Sequence, residues 1–397
     1  MVGRFGKHGF VLLCVVASWS SQVWAGDVED AEKAETARQE AFRSGMEIIV
    51  NDLNESRYDT FLGVIDKQEL INRIFGLRLI DPRAKKQFNE NLEYTWDPLI
   101  IQQLRETDDG LKVTLLGVES RGSHGRAAVR FDLPKLQFNY HEYDLRLDAE
   151  GRMFIVDWMD YLDGMPFSRN VGEGLVTVLA SKQALRKLLD FKNPNERELF
   201  QLGELLKAAR DRKLDRYLEI RDGMNERLQR QRIVVETTVH VARQVRQRRQ
   251  MIAALEIMSE YYPDEPLYSL MLLDYYFPAR KYEEALQALQ RMSDRLGFPD
   301  AAMDARMSAA ALVLDKPQDA LAYAEKALER EPGLELAWWS ALNARADLAD
   351  FAGSVAALQR LEGEFGYELG PKALGKNRSY AQLLDSSEYK SWRESLE

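Results

Sequence analysis

Three segments in the last third of the chain repeat one pattern at a nearly fixed interval. Lys281-Tyr-Glu-Glu-Ala-Leu286, Lys316-Pro-Gln-Asp-Ala-Leu321 and Asp350-Phe-Ala-Gly-Ser-Val355 put Ala285, Ala320 and Ser354 at equivalent positions, 35 and 34 residues apart. A unit of this length cannot bury its apolar side alone, so such units must stack on one another. Each segment reads as the start of the second helix of a hairpin. The small residue lets the two helices approach closely, and larger residues fill the grooves between hairpins. Leu272 and Tyr276 precede the first small residue at helical spacing, and Trp338 precedes the third. Ala327 lies one further heptad along from Ala320, and Pro332 stops that helix.

The period, together with Ala327-Leu-Glu-Arg-Glu-Pro332, resembles the tetratricopeptide repeat (TPR), and residues 266–367 read as three such hairpins. Residues 171–265 read as a helical linker with degenerate hairpins from about residue 195. Val235, Val239 and Ala242 fall on one helix, and Leu255 and Met258 on the next, with Met251 at the small-residue position. Leu199, Leu202, Gly203 and Leu206 mark another hairpin upstream, and residues 368–397 are expected to form capping helices. In TPR arrays the first helix of each hairpin lines a groove that takes an extended peptide or a helix. Carried over position by position, the resemblance implies a groove presenting Glu236, His240, Arg243, Asp274, Phe277, Trp339, Asn343 and Asp347, and hence a protein or peptide partner.

The N-terminal half has a different character. Residues 1–25 carry a positive start (Arg4, Lys7), an apolar run from Gly9 to Ala17 and Val23-Trp24-Ala25, which predicts a secretory signal peptide cut after Ala25. Ser18, Ser20, Ser21 and Gln22 interrupt the apolar run before it reaches the roughly 20 residues of a spanning helix, so no transmembrane segment is expected after cleavage. Residues 26–43 are an acidic, helical or mobile leader. From about residue 44 to 165 the pattern is helical at first: Tyr58, Phe61, Leu62 and Ile65, then Leu70, Ile71, Ile74 and Phe75, then a helix opened by Asp81-Pro82. It then switches to period two through Val113 and Leu115, Ala127, Val129 and Phe131, Tyr143, Leu145 and Leu147, and Phe154, Val156 and Trp158. The expectation is an α+β domain, helices followed by a four-stranded antiparallel sheet, joined to an all-α superhelical C-terminal domain.

Tyr143-Asp-Leu-Arg-Leu147, the turn at Gly151 and Met153-Phe-Ile-Val-Asp-Trp158 resemble the nuclear transport factor-like cone fold, and within it the periplasmic phospholipid carriers of the MlaC type. That resemblance implies an apolar pocket, for which Trp96, Phe131, Phe138, Tyr140, Phe154 and Trp158 are the candidates, and a lipid or small apolar ligand. The same side chains also suit a packed aromatic core.

The formal net charge of −10 becomes −12 once Arg4 and Lys7 leave with the signal peptide (−10 − 2), which argues against nucleic acid as the main ligand. The single cysteine, Cys14, leaves too, so disulfides and thiol chemistry are excluded from the mature chain. His124, His141 and His240 show no metal-ligand spacing, and Ser123-His124 reads as a hairpin turn rather than a nucleophile and its base. Asp144, Asp148, Asp157, Asp160 and Asp163 read as solvent-facing charge and strand-end caps, with Asp157 the one residue placed for a general base. Arg243, Arg246, Arg248 and Arg249, interleaved with glutamines, form a basic patch. The expectation is an exported, non-enzymatic adaptor in the periplasm, or secreted, with no cofactor and no metal. The alternative is a periplasmic lipid or small-molecule carrier.

Overall fold

In the computed structural model the described residues are 9–76, 100, 112–172 and 182–396. The chain opens with one long helix, α1 (Gly9–Asn54), followed by α2 (Asp59–Gly63) and α3 (Lys67–Gly76). Phe42, Met46, Ile49, Val50 and Leu53 recur at helical spacing and are all buried, so α1 has a continuous apolar stripe along its C-terminal half. The leader is helical: from residue 26 it runs without a break into the part of α1 that packs on the sheet. The helix expected from Asp81 to Leu99 lies outside the described residues.

The sheet comprises β1 (Lys112–Arg121), β2 (His124–Leu133), β3 (Gln137–Leu147), β4 (Met153–Asp160) and β5 (Met165–Pro166), each antiparallel to the next. Five strands replace the expected four. The two-residue β5 is too short to show a period-two pattern; it pairs with Met159 and Asp160 after a turn closed at Gly164, φ +67°. The Asp160 carboxylate accepts from the backbone N–H groups of Leu162 and Asp163 inside that turn.

Alternation gives the sheet two faces. Ala127, Val129, Phe131, Tyr143, Leu145 and Trp158 meet α1 to α3 in one apolar core. Ala128, Phe138 and Tyr140 point the other way and share a second core with the C-terminal helices.

Those helices form five hairpins: Glu196–Arg210 with Leu214–Asp222, Arg232–Gln244 with Arg248–Tyr261, Ser269–Tyr276 with Tyr282–Leu296, Ala301–Val313 with Pro317–Arg330, and Glu335–Asp347 with Phe351–Phe365. Ala285, Ala320 and Ser354 open the second helices of the last three and are fully buried. At the fourth hairpin the approach is close enough for the Ser308 hydroxyl to donate to the Ala320 carbonyl at 2.7 Å.

The hairpins share a feature the small residues do not reveal. Arg212, Arg246, Arg280, Asp315 and Ala349 each take a left-handed conformation (φ 54° to 58°), at intervals of 34, 34, 35 and 34 residues. At each, the next residue's N–H reaches back to a carbonyl in the last turn of the first helix: Lys213 to Ala208, Gln247 to Ala242, Lys281 to Tyr276, Lys316 to Ala311 and Asp350 to Arg345, at 2.7 to 3.0 Å. This is the six-to-one bond of a Schellman turn, and it fixes one hairpin geometry five times over. In this register Met251 and Tyr217 stand where Ala285, Ala320 and Ser354 stand in the later repeats. Beyond the fifth hairpin, Leu374, Tyr380, Leu383, Tyr389 and Trp392 from short C-terminal helices cover its apolar side.

Candidate functional site

The polar residues of the sheet's second face dock on the first helices of the hairpins and on the connections between hairpins. Arg130, on β2, is fully buried. Its guanidinium donates to Asp300 at 2.5 Å, to Asp132 at 2.6 Å and to Glu331 at 2.8 Å. The Tyr140 hydroxyl donates to the other oxygen of Asp300 at 2.6 Å, and Lys112 pairs with Glu331. Asp300 also caps the first helix of the fourth hairpin by accepting from the Met303 N–H. Burial alone disfavours a charged Arg130, but Asp300, Asp132 and Glu331 together hold its proton more tightly than usual. Burial, and then the Asp300 charge, push the Tyr140 phenol well upward.

A second polar contact joins β2 and β3 to the third hairpin. Arg126 donates to the Arg295 carbonyl at 3.0 Å, and Arg295 donates to Glu142 at 3.1 Å. Phe298 lies under the Arg126 guanidinium and fills the space over Gly117, where a Cβ would come within 2.2 Å of its ring. Only glycine at 117 permits this seat.

The groove residues divide into two groups. Glu236, His240 and Arg243 lie together on the first helix of the second hairpin, and their polar groups meet the sheet domain. Glu236 accepts from Arg169 at 3.0 Å and from the Tyr268 hydroxyl. Arg243 donates to the Leu162 carbonyl at 2.6 Å, and His240 Nδ1 lies 3.6 Å from Asp163. Asp274 and Asp347 are exposed. Phe277, half-buried, faces the Tyr282 ring at 6.3 Å. Trp339 meets Tyr367 edge-on at 5.1 Å, and Asn343 accepts from the Tyr380 hydroxyl. In the second hairpin the chain's own sheet domain therefore occupies the face assigned to a partner, and in the fifth the C-terminal segment packs on part of it.

Two of the aspartates read as solvent-facing are buried. Asp157 accepts from the Ser168 hydroxyl at 2.5 Å and from the N–H groups of Trp158 and Ser168, and burial raises its pKa. Asp160 accepts from Asn139 at 3.0 Å and lies 3.3 Å from His141 Nε2, while Tyr143 lies 3.1 Å from His141 Nδ1. Burial pulls Asp160 upward, but His141 and Asn139 outweigh it and bring it down to about 2. Asp163 is raised to about 6 by burial and by Asp160, and His240 is lowered to about 4 by burial and by Arg243. The sequence reading missed these because an aspartate at a strand end gives no sign of which element will cover it. His124 begins β2 beside Gly122 (φ +65°), as the hairpin reading requires.

The pocket residues do not converge. Phe131 and Trp158 belong to the core on the α1 side, where Trp158 stacks on Phe167 at 4.1 Å. Phe138 and Tyr140 lie on the opposite face against the hairpins. Phe154 is half-buried beneath Arg146, and Trp96 lies outside the described residues. Among the described residues no group of three or more histidine, cysteine, aspartate or glutamate side chains is placed to hold a metal ion, and no helix is long and apolar enough to cross a membrane.

No known protein family matches the chain, and no curated protein matches it. Among solved structures, that of the MamA protein is similar at 17% identity and a TM-score of 0.32, over 44% of this chain and 97% of that one. Likeness at that level is too loose to bear on function. The likeness to MlaC-type carriers finds no support.

Proposed function

We propose that the chain is a non-enzymatic adaptor, exported to the cell envelope, that binds another protein through its TPR-like array. The observation that carries this reading is the five-fold repetition of one hairpin geometry, fixed by the same turn at Arg212, Arg246, Arg280, Asp315 and Ala349. Stacked hairpins of this kind build extended, rigid surfaces, and such surfaces serve macromolecular binding. Asp157, Asp160 and His141, all buried, have structural partners within the fold, which also favours an adaptor over an enzyme. Export rests on the N-terminal sequence pattern of Arg4, Lys7, the Gly9–Ala17 run and Ala25.

Native mass spectrometry of the protein purified from its own source, before and after denaturation, tests both parts. A stoichiometric protein partner and a mature chain beginning at Gly26 are expected. A small apolar molecule released on denaturation, with no protein partner, would replace the adaptor with a carrier. A chain still carrying Met1 would remove the export.

A further inference from the structure

Because the turns of successive hairpins lie along one edge of the array, residues at equivalent turn positions form a line. Two contacts place neighbouring turns side by side: Lys316, at the fourth turn, donates to Glu283, just past the third, at 3.1 Å, and Arg212 of the first turn lines a cavity with Gln244 at the end of the second hairpin's first helix. Along this edge the first three turns carry Arg212, then Arg246, Arg248 and Arg249, then Arg280, among acidic residues of which Asp211 is held by Arg210 and Glu283 by Lys316, with Asp215 exposed. All five arginines are exposed, and none has an ion-pair partner among the described residues. The fourth and fifth turns carry Asp315 and Asp350, so the ridge ends there. In a chain of net charge −10, five unpaired arginines on one edge of three hairpins are a concentrated exception.

The ridge borders an opening in the surface. Between the first two hairpins lies a cavity of about 310 Å³, its floor made by Leu206, Ile233 and Val241 and its rim by Arg210, Arg212 and Gln244. The carboxylates at its inner end, Asp163 and Glu236, already accept from Asn170 and Arg169 at 3.0 Å.

We infer that this edge binds an acidic protein segment, with an apolar side chain of the segment anchored in the cavity and its carboxylates on the arginine ridge. Three features favour a protein over an anionic membrane. The cations left without a partner are all arginine, since Lys213, Lys281 and Lys316 of the same turns are held by Asp211, the Tyr275 ring and Glu283, and arginine's planar fork matches a carboxylate with two parallel hydrogen bonds. Gln244 and Gln247 stand between them, offering amide donors and acceptors to a peptide backbone. The apolar element is a recess wide enough to admit a side chain, whereas a membrane-seated edge needs projecting apolar residues. The inference rests on the adaptor reading and names the surface and the partner chemistry.

The test uses the full chain and a fluorescein-labelled peptide of glutamates flanking one leucine, read by fluorescence anisotropy. Binding that weakens steeply with added salt is expected. The variant Arg212→Glu with Arg246→Glu should bind at least about tenfold more weakly with an unchanged circular dichroism spectrum, and Lys376→Glu, away from the ridge, should bind as the parent does. A peptide with serine for leucine should lose several-fold. Equal binding by the parent and the double variant, or no binding at all, would overturn the inference. So would competition in which vesicles of phosphatidylglycerol displace the peptide from the ridge. A natural protein partner still held by the double variant would remove the ridge as its site and leave the adaptor reading intact.

Discussion

The two faces of the sheet are both buried, and both carry apolar cores, but what stands at the centre of each differs. Toward α1 to α3 the centre is apolar and aromatic, with Phe61 edge-on against Tyr143 at 6.0 Å and Trp158 at 5.9 Å over Val129 and Leu145, and the polar contacts, Arg73 to Asp144 at 2.6 Å and Arg146 to Asp66 at 2.5 Å, lie at its margin. Toward the hairpins the centre is Arg130, with three carboxylates and Tyr140 around it. Apolar packing is non-directional and tolerates small adjustments. A buried guanidinium instead demands particular oxygens at particular places, here supplied by Asp300 and Glu331. The first face builds a domain core, and the second sets where, and at what angle, the array docks.

The most forceful way to break this contrast is Asp300→Ala. It leaves Arg130 short of its closest carboxylate in a place water does not reach, and it removes the acceptor of Tyr140. A loss of about 3–5 kcal/mol in urea unfolding is expected. Arg130→Met combined with Asp300→Leu should recover only part of that, since it removes the stranded cation but leaves Asp132, the Tyr140 hydroxyl and the Met303 N–H without their partners. If the double variant is as unstable as the single one, the network does more than neutralise a buried charge.

The hairpins differ among themselves in the same spirit. In the fourth, Ala320 sits fully buried, with the Ser308 hydroxyl on its carbonyl. Ala320→Leu must push the helices apart, at a cost of about 1–3 kcal/mol. The equivalent Met251 of the second hairpin is only partly buried, and Met251→Leu should cost less than about 1 kcal/mol. Thermal melts of the two variants measure the difference directly. Equal losses would mean that both hairpins are packed alike and that the early ones are not degenerate.

That difference also explains what the sequence could disclose. Ala285, Ala320 and Ser354 are visible as a period because close helix approach excludes large residues there. Tyr217 and Met251 hide the same period in the first two hairpins. The turn residues hide it further: glycine at a left-handed position advertises a turn, while Arg212, Arg246, Arg280, Asp315 and Ala349 do not. The four long strands were legible from alternation, and the two-residue β5 was not. The docking was out of reach because Arg130 meets Asp300 and Glu331 across 170 and 201 residues of chain. For the groove, the TPR register put Glu236, His240 and Arg243 on one helix, the first of the second hairpin. What it could not supply was the occupant, because Asp163 and Leu162, which meet His240 and Arg243, carry no mark of facing a helix.

The junction at His240 gives a pH-dependent contrast with the rest of the interface. With its folded pKa lowered to about 4 from 6.5, His240 takes up a proton more readily in the unfolded chain, so its contribution to stability falls as pH drops from 6.5 to 4. Asp163, raised to about 6 from 3.8, binds its proton more readily in the folded chain and works the other way over much of that window. The two nearly cancel in the parent. His240→Asn removes the first and exposes the second, so the variant should gain on the order of 1 kcal/mol relative to the parent between pH 6.5 and 4, a figure reduced by the partial exposure of both side chains. Parallel denaturation curves for parent and variant across this range would show that burial does not perturb the pair.

The smallest effect tests the turn that all five hairpins share. Ala349 holds φ +57° at the fifth turn, where a Cβ is disfavoured and glycine is at ease. Its N–H reaches the Ala346 carbonyl at 3.1 Å, and the next N–H, on Asp350, reaches Arg345 at 2.9 Å, so both bonds of the turn survive replacement by glycine. Ala349→Gly relieves the left-handed strain but gives the unfolded chain more freedom, and the balance should favour the folded state by about 0.5 kcal/mol, a rise of a degree or two in melting temperature. Ala346→Gly, three residues earlier and inside the helix, differs only in position and should destabilise by about 1 kcal/mol or slightly more, because Ala346 is buried there and φ is already helical. Opposite signs from the same substitution at two alanines three residues apart would place the hairpin's geometry in the turn itself, which is where the early hairpins, lacking the small residue, must keep it.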